Sequence, residues 1–185
     1  MKLIFSRKGS DSGAGGIPSP IFEDNRFCSL PIPSRHHPAL RTIRFHDTDL
    51  GSIVGQLQGP RSYGYGAHLD PDLNRSALPR KPGWRPCFGQ IGAAQQHLDN
   101  QHVGVGDIFL FFGWFRRVIT LNGKLRYQPG APDIHCLFGW MQVGTVYHLG
   151  QREMPPRWAS DHPHMQPWST TITFSSDDNY TYSLP

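Results

Sequence analysis

The sequence predicts an α+β domain. It should hold a small, mostly antiparallel sheet or partly closed barrel, a flanking helix around Gly92–Asn100, and long Gly/Pro-rich loops. Three observations predict this. Ile108-Phe109-Leu110-Phe111-Phe112 is a continuous β-prone apolar run, which reads as a strand buried on both faces or at least central. Cys136 to Tyr147 is its natural partner, and Asn122-Gly123 between the two is a hairpin-turn signal. Upstream, Ile91, Ala94, Leu98 and Val103 are spaced like one face of a helix that runs into a turn at Gly104, Gly106 and Asp107.

The remaining elements follow in order. Lys2 to Phe5 reads as the first strand, and Ser6 to Gly16 as a Gly/Ser-rich loop carrying Arg7, Lys8 and Asp11. Prolines confine Ile17–Phe22 and Phe27–Pro33 to short extended pieces. Thr42–Phe45 suits another short strand. Leu50–Leu57 suits a two-turn helix capped at Asp47 or Thr48 and weakened by Gly51 and Gly55. Arg75 to Cys87 is a Pro- and Arg-rich loop. In the tail, Thr171–Phe174 and Tyr180–Tyr182 flank a polar turn and read as a terminal hairpin or a frayed end.

The totals bound the class. At 185 residues one domain is expected, placed here at 1–168, with 169–185 an atypical Ser/Thr-rich tail. Hydrophobic content of 37% against 20 glycines and 17 prolines means a small core under long loops, and excludes a helical bundle. A net charge of +4 with pI about 9.2 is compatible with a polyanionic partner. The longest apolar run is far too short for a membrane span. Cys28, Cys87 and Cys136 form no CxxC pair, and no secretory segment precedes them, which fits a reducing cytoplasm.

His68-x-Asp70 is the sharpest chemical signal. Residues two apart on an extended segment face the same way, so an imidazole and a carboxylate there can bind one metal. With a distant His135, His162 or His164 they make the two-His, one-carboxylate set that leaves positions open on Fe(II). Asp70 and Asp72 also suit general acid–base work or Mg²⁺ coordination. The competing reading makes Asp70 a turn cap and His68 a satisfied, partly buried side chain. The SRKG loop can cradle phosphate, although it is no Walker motif; the competing reading is a flexible loop. Trp84, Trp114, Phe115, Trp140 and Trp158 beside Arg85, Arg116, Arg117 and Arg157 mix groups that stack a base and hold its backbone, or that simply pack. Cys87, just before the helix, is a candidate for a lowered pKa or an inert thiol. His135 and Cys136 point to opposite faces of a strand, which argues against a nucleophilic pair.

SRKGSDSGAGGIPSPI, SLPIP, AHLDPDL, FGQIGAAQQHL, VGVGDIFLFFGWFR, HCLFGWMQVG and DHPH, in this order, resemble the nucleotide modification associated domain of the third type, from Met1 to Met165. That family comes from bacteria and phages and accompanies DNA-base modification systems. The resemblance implies a nucleotide or DNA partner beside other modification proteins. It brings forward Arg7, Lys8, Asp11, His68, Asp70, Asp72, Gln90, Gln95, His97, His135, His162 and His164. Ser10 departs from the pattern, which has a bulkier aromatic residue there. The tail also departs, matching poorly after DHPH as a truncated domain end would. The hairpin also resembles small PUA-like barrels that bind modified bases.

Two functions are therefore expected as alternatives. One is a metal-dependent nucleotide- or base-modifying enzyme using Fe(II) or Mg²⁺, with His68, Asp70 and Asp72 catalytic and Arg7, Lys8, Asp11, Gln90, Trp114 and Arg116 on substrate. The other is a non-catalytic reader or accessory module. The site should lie where the SRKG loop, the His68–Asp70 segment and the start of the His135 strand meet.

Overall fold

A computed structural model describes residues 1–148, 156–165 and 171–175. Its centre is β8 (Ile108–Leu121), whose alternation buries Phe109, Phe111 and Phe115 on one face and turns Leu110, Phe112 and Trp114 to the other. The apolar run is thus central but not buried on both faces. The outward face is open along β1 (Leu3–Arg7), where Leu3 and Phe5, in register with Ile108 and Leu110, are exposed.

β1 pairs parallel with β8, and β10 (Ile134–Tyr147) pairs antiparallel on the other side. The sheet continues through β11 (Thr171–Ser175) to β7 (Cys87–Gln90), both antiparallel. β2 (Ser19–Ile21) lies parallel to the far end of β8, where Asn122-Gly123 turns the chain into the short β9 (Lys124–Tyr127). The expected hairpin therefore forms, but with β9 interposed before β10. A bulge between Leu137 and Gly139 shifts the phase of β10: Phe138 faces the core before it, Met141 and Val143 after it.

The architecture is α+β, with mixed, unclosed sheets and two α-helices among the described residues. Helix α1 (Leu50–Gln58) is capped by Asp49, whose carboxylate accepts from the Ser52 N–H at 2.8 Å; the cap lies one residue beyond the positions expected. Leu50, Ile53 and Val54 of α1 close a second core with Leu30, Leu40 and Ile43. Helix α2 (Gly92–Asn100) differs more from expectation. Ile91 and Ala94 are exposed, Gln95 is its buried residue, and only Leu98 and Val103 reach the main core. The main core is a phenylalanine cluster in which Phe88 of β7 packs on Phe109 and Phe111 at 4.8 and 5.3 Å.

The tail contributes structure at its start, since β11 is a sheet strand between β10 and β7. Tyr180–Tyr182 lie outside the described residues. No helix among the described residues is long and apolar enough to cross a membrane. Cys28, Cys87 and Cys136 are free thiols.

Candidate functional site

Four segments converge on the carboxylate of Asp70. The first is β6 (Gly66–His68), which pairs with β3 (Ile32–Ala39) and sets His68 opposite Ile32. Past it, the backbone of Asp72 exchanges hydrogen bonds with Cys87 at 2.9 and 3.0 Å. That antiparallel bridge aligns Asp70, two residues before Asp72, with Gly89, two residues after Cys87. The Gly89 N–H accordingly donates to Asp70 Oδ1 at 2.8 Å.

The second segment is the end of β1. Lys8 continues the pairing through its N–H to Phe112 O at 2.8 Å. A Cβ on Gly113 would lie 2.8 Å from the Lys8 carbonyl oxygen, so the close approach requires glycine there. The Lys8 ammonium sits 4.4 Å above the Phe88 ring and 3.0 Å from Asp70 Oδ2. The third segment is the turn through His162 and His164. His164 occupies the space a side chain at Gly89 would need, since a Cβ there would come within 2.2 Å of its Cγ. Gly89 of β7, the fourth segment, thus both donates to Asp70 and admits His164.

The electrostatics are those of a buried, compensated anion. Burial alone would push the Asp70 carboxyl up, but Lys8, His162 and His164 outweigh it and hold it well below the usual carboxylate range. Burial pushes the His68 imidazole down, favouring the neutral ring that a metal ligand must be. His162 Nε2 lies 3.4 Å from Asp70 Oδ1, and His164 Nε2 lies 3.6 Å from Asp70 Oδ2. Neither contact is a good hydrogen bond. Two buried ring nitrogens, His162 Nε2 and His164 Nδ1, have no hydrogen-bond partner among the described residues. The His68 and His164 rings meet edge to face at 5.1 Å.

His68, Asp70 and His164 each offer a ligand atom, all within 4.8 Å of one another. Ligand bonds of about 2.0–2.2 Å would set such atoms roughly 3–4.4 Å apart. The trio is therefore near ligation distance, and the orphaned His164 Nδ1 within it fits a metal. The donor set suits a first-row transition ion better than Mg²⁺, which prefers oxygen.

The other expected site residues are not part of the trio. Asp72 is held by both Arg80 nitrogens at 2.6 Å, while burial pushes its carboxyl up. Arg7 alternates away from Lys8 and pairs with Asp11 at 3.6 Å; Asp11 also accepts from the Gly13 and Ala14 N–H groups and shapes the loop. Gln90 follows Gly89 on β7 and is half-buried. His135 pairs in register with Trp114 on the sheet face opposite the phenylalanine core, is exposed, and contacts Phe112. The start of its strand does not join the site. Arg116 is tied to Asp133 at 2.5 and 2.8 Å. His97 is exposed on α2. Trp84 is buried between Arg75 and Arg80, and cannot stack a base. Burial raises the Cys87 thiol well above its ordinary range, which overturns a low-pKa role.

Gly89 and Arg80 were not expected. Gly89 had a signal, a glycine inside a strand between Phe88 and Gln90, which marks close approach. Arg80 had none, being one arginine in a loop of several.

Beside the trio opens a cavity of about 740 Å³, within the size range of small-molecule sites. His68, His164, Arg41, Lys81, Arg80 and Trp158 are among its lining residues. Lys81 is tied to Ser160 and Asp161.

Comparison with curated proteins and with solved structures finds no match. A family model described as nucleotide modification associated domain 3 matches residues 2–179. The chain belongs to that family.

Proposed function

We propose that this nucleotide modification associated domain 3 protein acts on a nucleotide, or on a base of DNA, held in the 740 Å³ cavity beside a metal bound by His68, Asp70 and His164. One observation carries the reading: two imidazoles and an ionised carboxylate from sequence-distant segments converge, and the buried His164 Nδ1 has no partner among the described residues. Such an orphan costs about 1–3 kcal/mol unless a ligand meets it. The metal, Fe(II) or a similar ion, would supply Lewis acidity or redox capacity. The protein's own residues do the rest. Asp70 carries the negative charge, and Gly89 N–H fixes its orientation. Lys8 balances that charge and must turn from Oδ2 if a dication takes this oxygen. Arg41 offers a cation to a phosphate at the cavity wall, and Trp158 offers a ring surface.

Metal content of the purified protein, compared with His164→Ala, tests this. Stoichiometric transition metal lost in the variant is expected; a metal-free, folded protein sinks the metal reading.

A second reading is favoured by the 3.0 Å Lys8–Asp70 pair. In it the centre is a metal-free charge cluster, and the domain is a reader or accessory module that binds a modified base without turnover. Binding of modified oligonucleotides by metal-stripped protein, unchanged in His164→Ala, would select it.

A further inference from the structure

A second cavity, of about 520 Å³, lies along the Leu69–Leu73 segment. The two cavities share Leu69 and Asp72, while His68 and His164 line only the first and Asp70 only the second. The segment is therefore a partition with the candidate centre on it. The second cavity has apolar walls, including Phe45, Phe138, Leu73 and Ile43. Phe45 is braced by Phe22 stacked at 5.5 Å and by the His46 ring edge-on at 4.7 Å.

Its charge balance decides what it takes. Asp70 and Asp72, the carboxylates on its wall, are already neutralised by Lys8 at 3.0 Å and by Arg80 at 2.6 Å. Arg26 on the wall is paired with Asp24 at 2.6 Å. Arg44, also on the wall, is exposed and makes no ion pair or side-chain hydrogen bond among the described residues. Asp49, its cross-strand partner, has its carboxylate engaged by the Ser52 N–H and hydroxyl at 2.8 and 2.7 Å. A cation with no ion pair among the described residues, over an apolar, ring-lined hollow of small-ligand size, recognises an acidic group attached to an apolar body.

We propose that this second cavity binds a small organic anion, its acidic group at Arg44 and its body against Phe45 and Phe138. The occupant would reach the same partition as a ligand in the first cavity, from the Asp70 face. The inference does not rest on the metal reading: Asp70 is in the ligand set and on the wall of this cavity, but the anion is held by Arg44, Phe45 and Phe138, none of which is in the ligand set.

The test uses the full chain and 8-anilinonaphthalene-1-sulfonate, an aromatic anion whose emission rises on apolar burial. Saturable one-to-one binding is expected. Arg44→Glu should weaken it by about tenfold or more, and Arg44→Lys should restore most of it. Phe5→Ser on the exposed sheet face should leave it within about twofold, a few tenths of a kcal/mol. Unchanged binding in Arg44→Glu overturns the proposal, as does loss in Phe5→Ser, which would put the dye elsewhere. Displacement by benzoate or by phenyl phosphate separates a carboxylate from a phosphate as the acidic group. Displacement by neither removes the anion assignment. Near-ultraviolet circular dichroism confirms that Arg44→Glu, an exposed change, is folded.

Discussion

Gly89→Ala is the sharpest probe of the site, because it adds one methyl group where His164 sits. The new Cβ would lie 2.2, 2.4 and 2.5 Å from three His164 atoms, whereas ordinary contact begins at 3.4 Å. His164 must therefore retreat by about 1 Å or more, and its turn must move with it, since burial leaves no slack. Overpacking of this kind costs about 1–3 kcal/mol. For a domain of this size, that is a fall of roughly 2–12 °C in melting temperature, at about 2–4 °C per kcal/mol. Differential scanning calorimetry measures the stability, and metal content the site. Gly104→Ala is the control: nothing lies within 4 Å of its Cβ and its backbone is not left-handed, so it should stay within about 0.5 kcal/mol of the parent. The double variant Gly89→Ala with His164→Ala should be less unstable than the two single losses added, because removing the imidazole frees the space. A Gly89→Ala protein as stable as the parent, or strict additivity in the double variant, refutes the argument that this glycine exists to admit His164.

Lys8→Met should leave the buried Asp70 carboxylate without its main partner and cost about 3–5 kcal/mol, read as a lowered urea midpoint. Arg116→Met, at a partly exposed pair, should cost about 1 kcal/mol or less in the same assay. Asp70 titrates below its unfolded-state value of about 3.9, so its contribution is fully present above that pH and is lost as pH falls through the folded value. Asp70→Asn should therefore flatten the acid limb of a stability–pH curve measured from pH 7 down to about 3; an unchanged limb would mean that the carboxylate is not ionised in the fold. Asp49→Ala removes the cap of α1 and should cost about 1 kcal/mol in that melt.

What the sequence made legible, and what it did not, divides along a physical line. Local pattern located the central strand, the Asn-Gly turn, both helices to within a few residues, and the His68–Asp70 pair, because period and turn chemistry are written in adjacent residues. Its failures are questions of phase and partnership. Lys8 and Arg7 look equivalent in sequence, yet strand alternation sends one to Asp70 and the other to Asp11. Asp72 resembles Asp70 as a carboxylate, yet the backbone bridge to Cys87 turns it toward Arg80, eight residues away in a loop without periodicity.

The choice among His135, His162 and His164 is the clearest case. His135 precedes the bulge in β10, in the phase opposite to Cys136 and Phe138, which face the core. Its register partner Trp114 has the outward phase on β8, between the core residues Phe111 and Phe115. Lys8, in contrast, stands over Phe88, and Phe88 packs on the core face of β8. A ligand on the outer face cannot reach a carboxylate bonded to that lysine without passing through the sheet. His135 is thus excluded by register alone, whatever its chemistry. His164 enters because the strand next to Asp70 carries a glycine where any other residue would have filled its place.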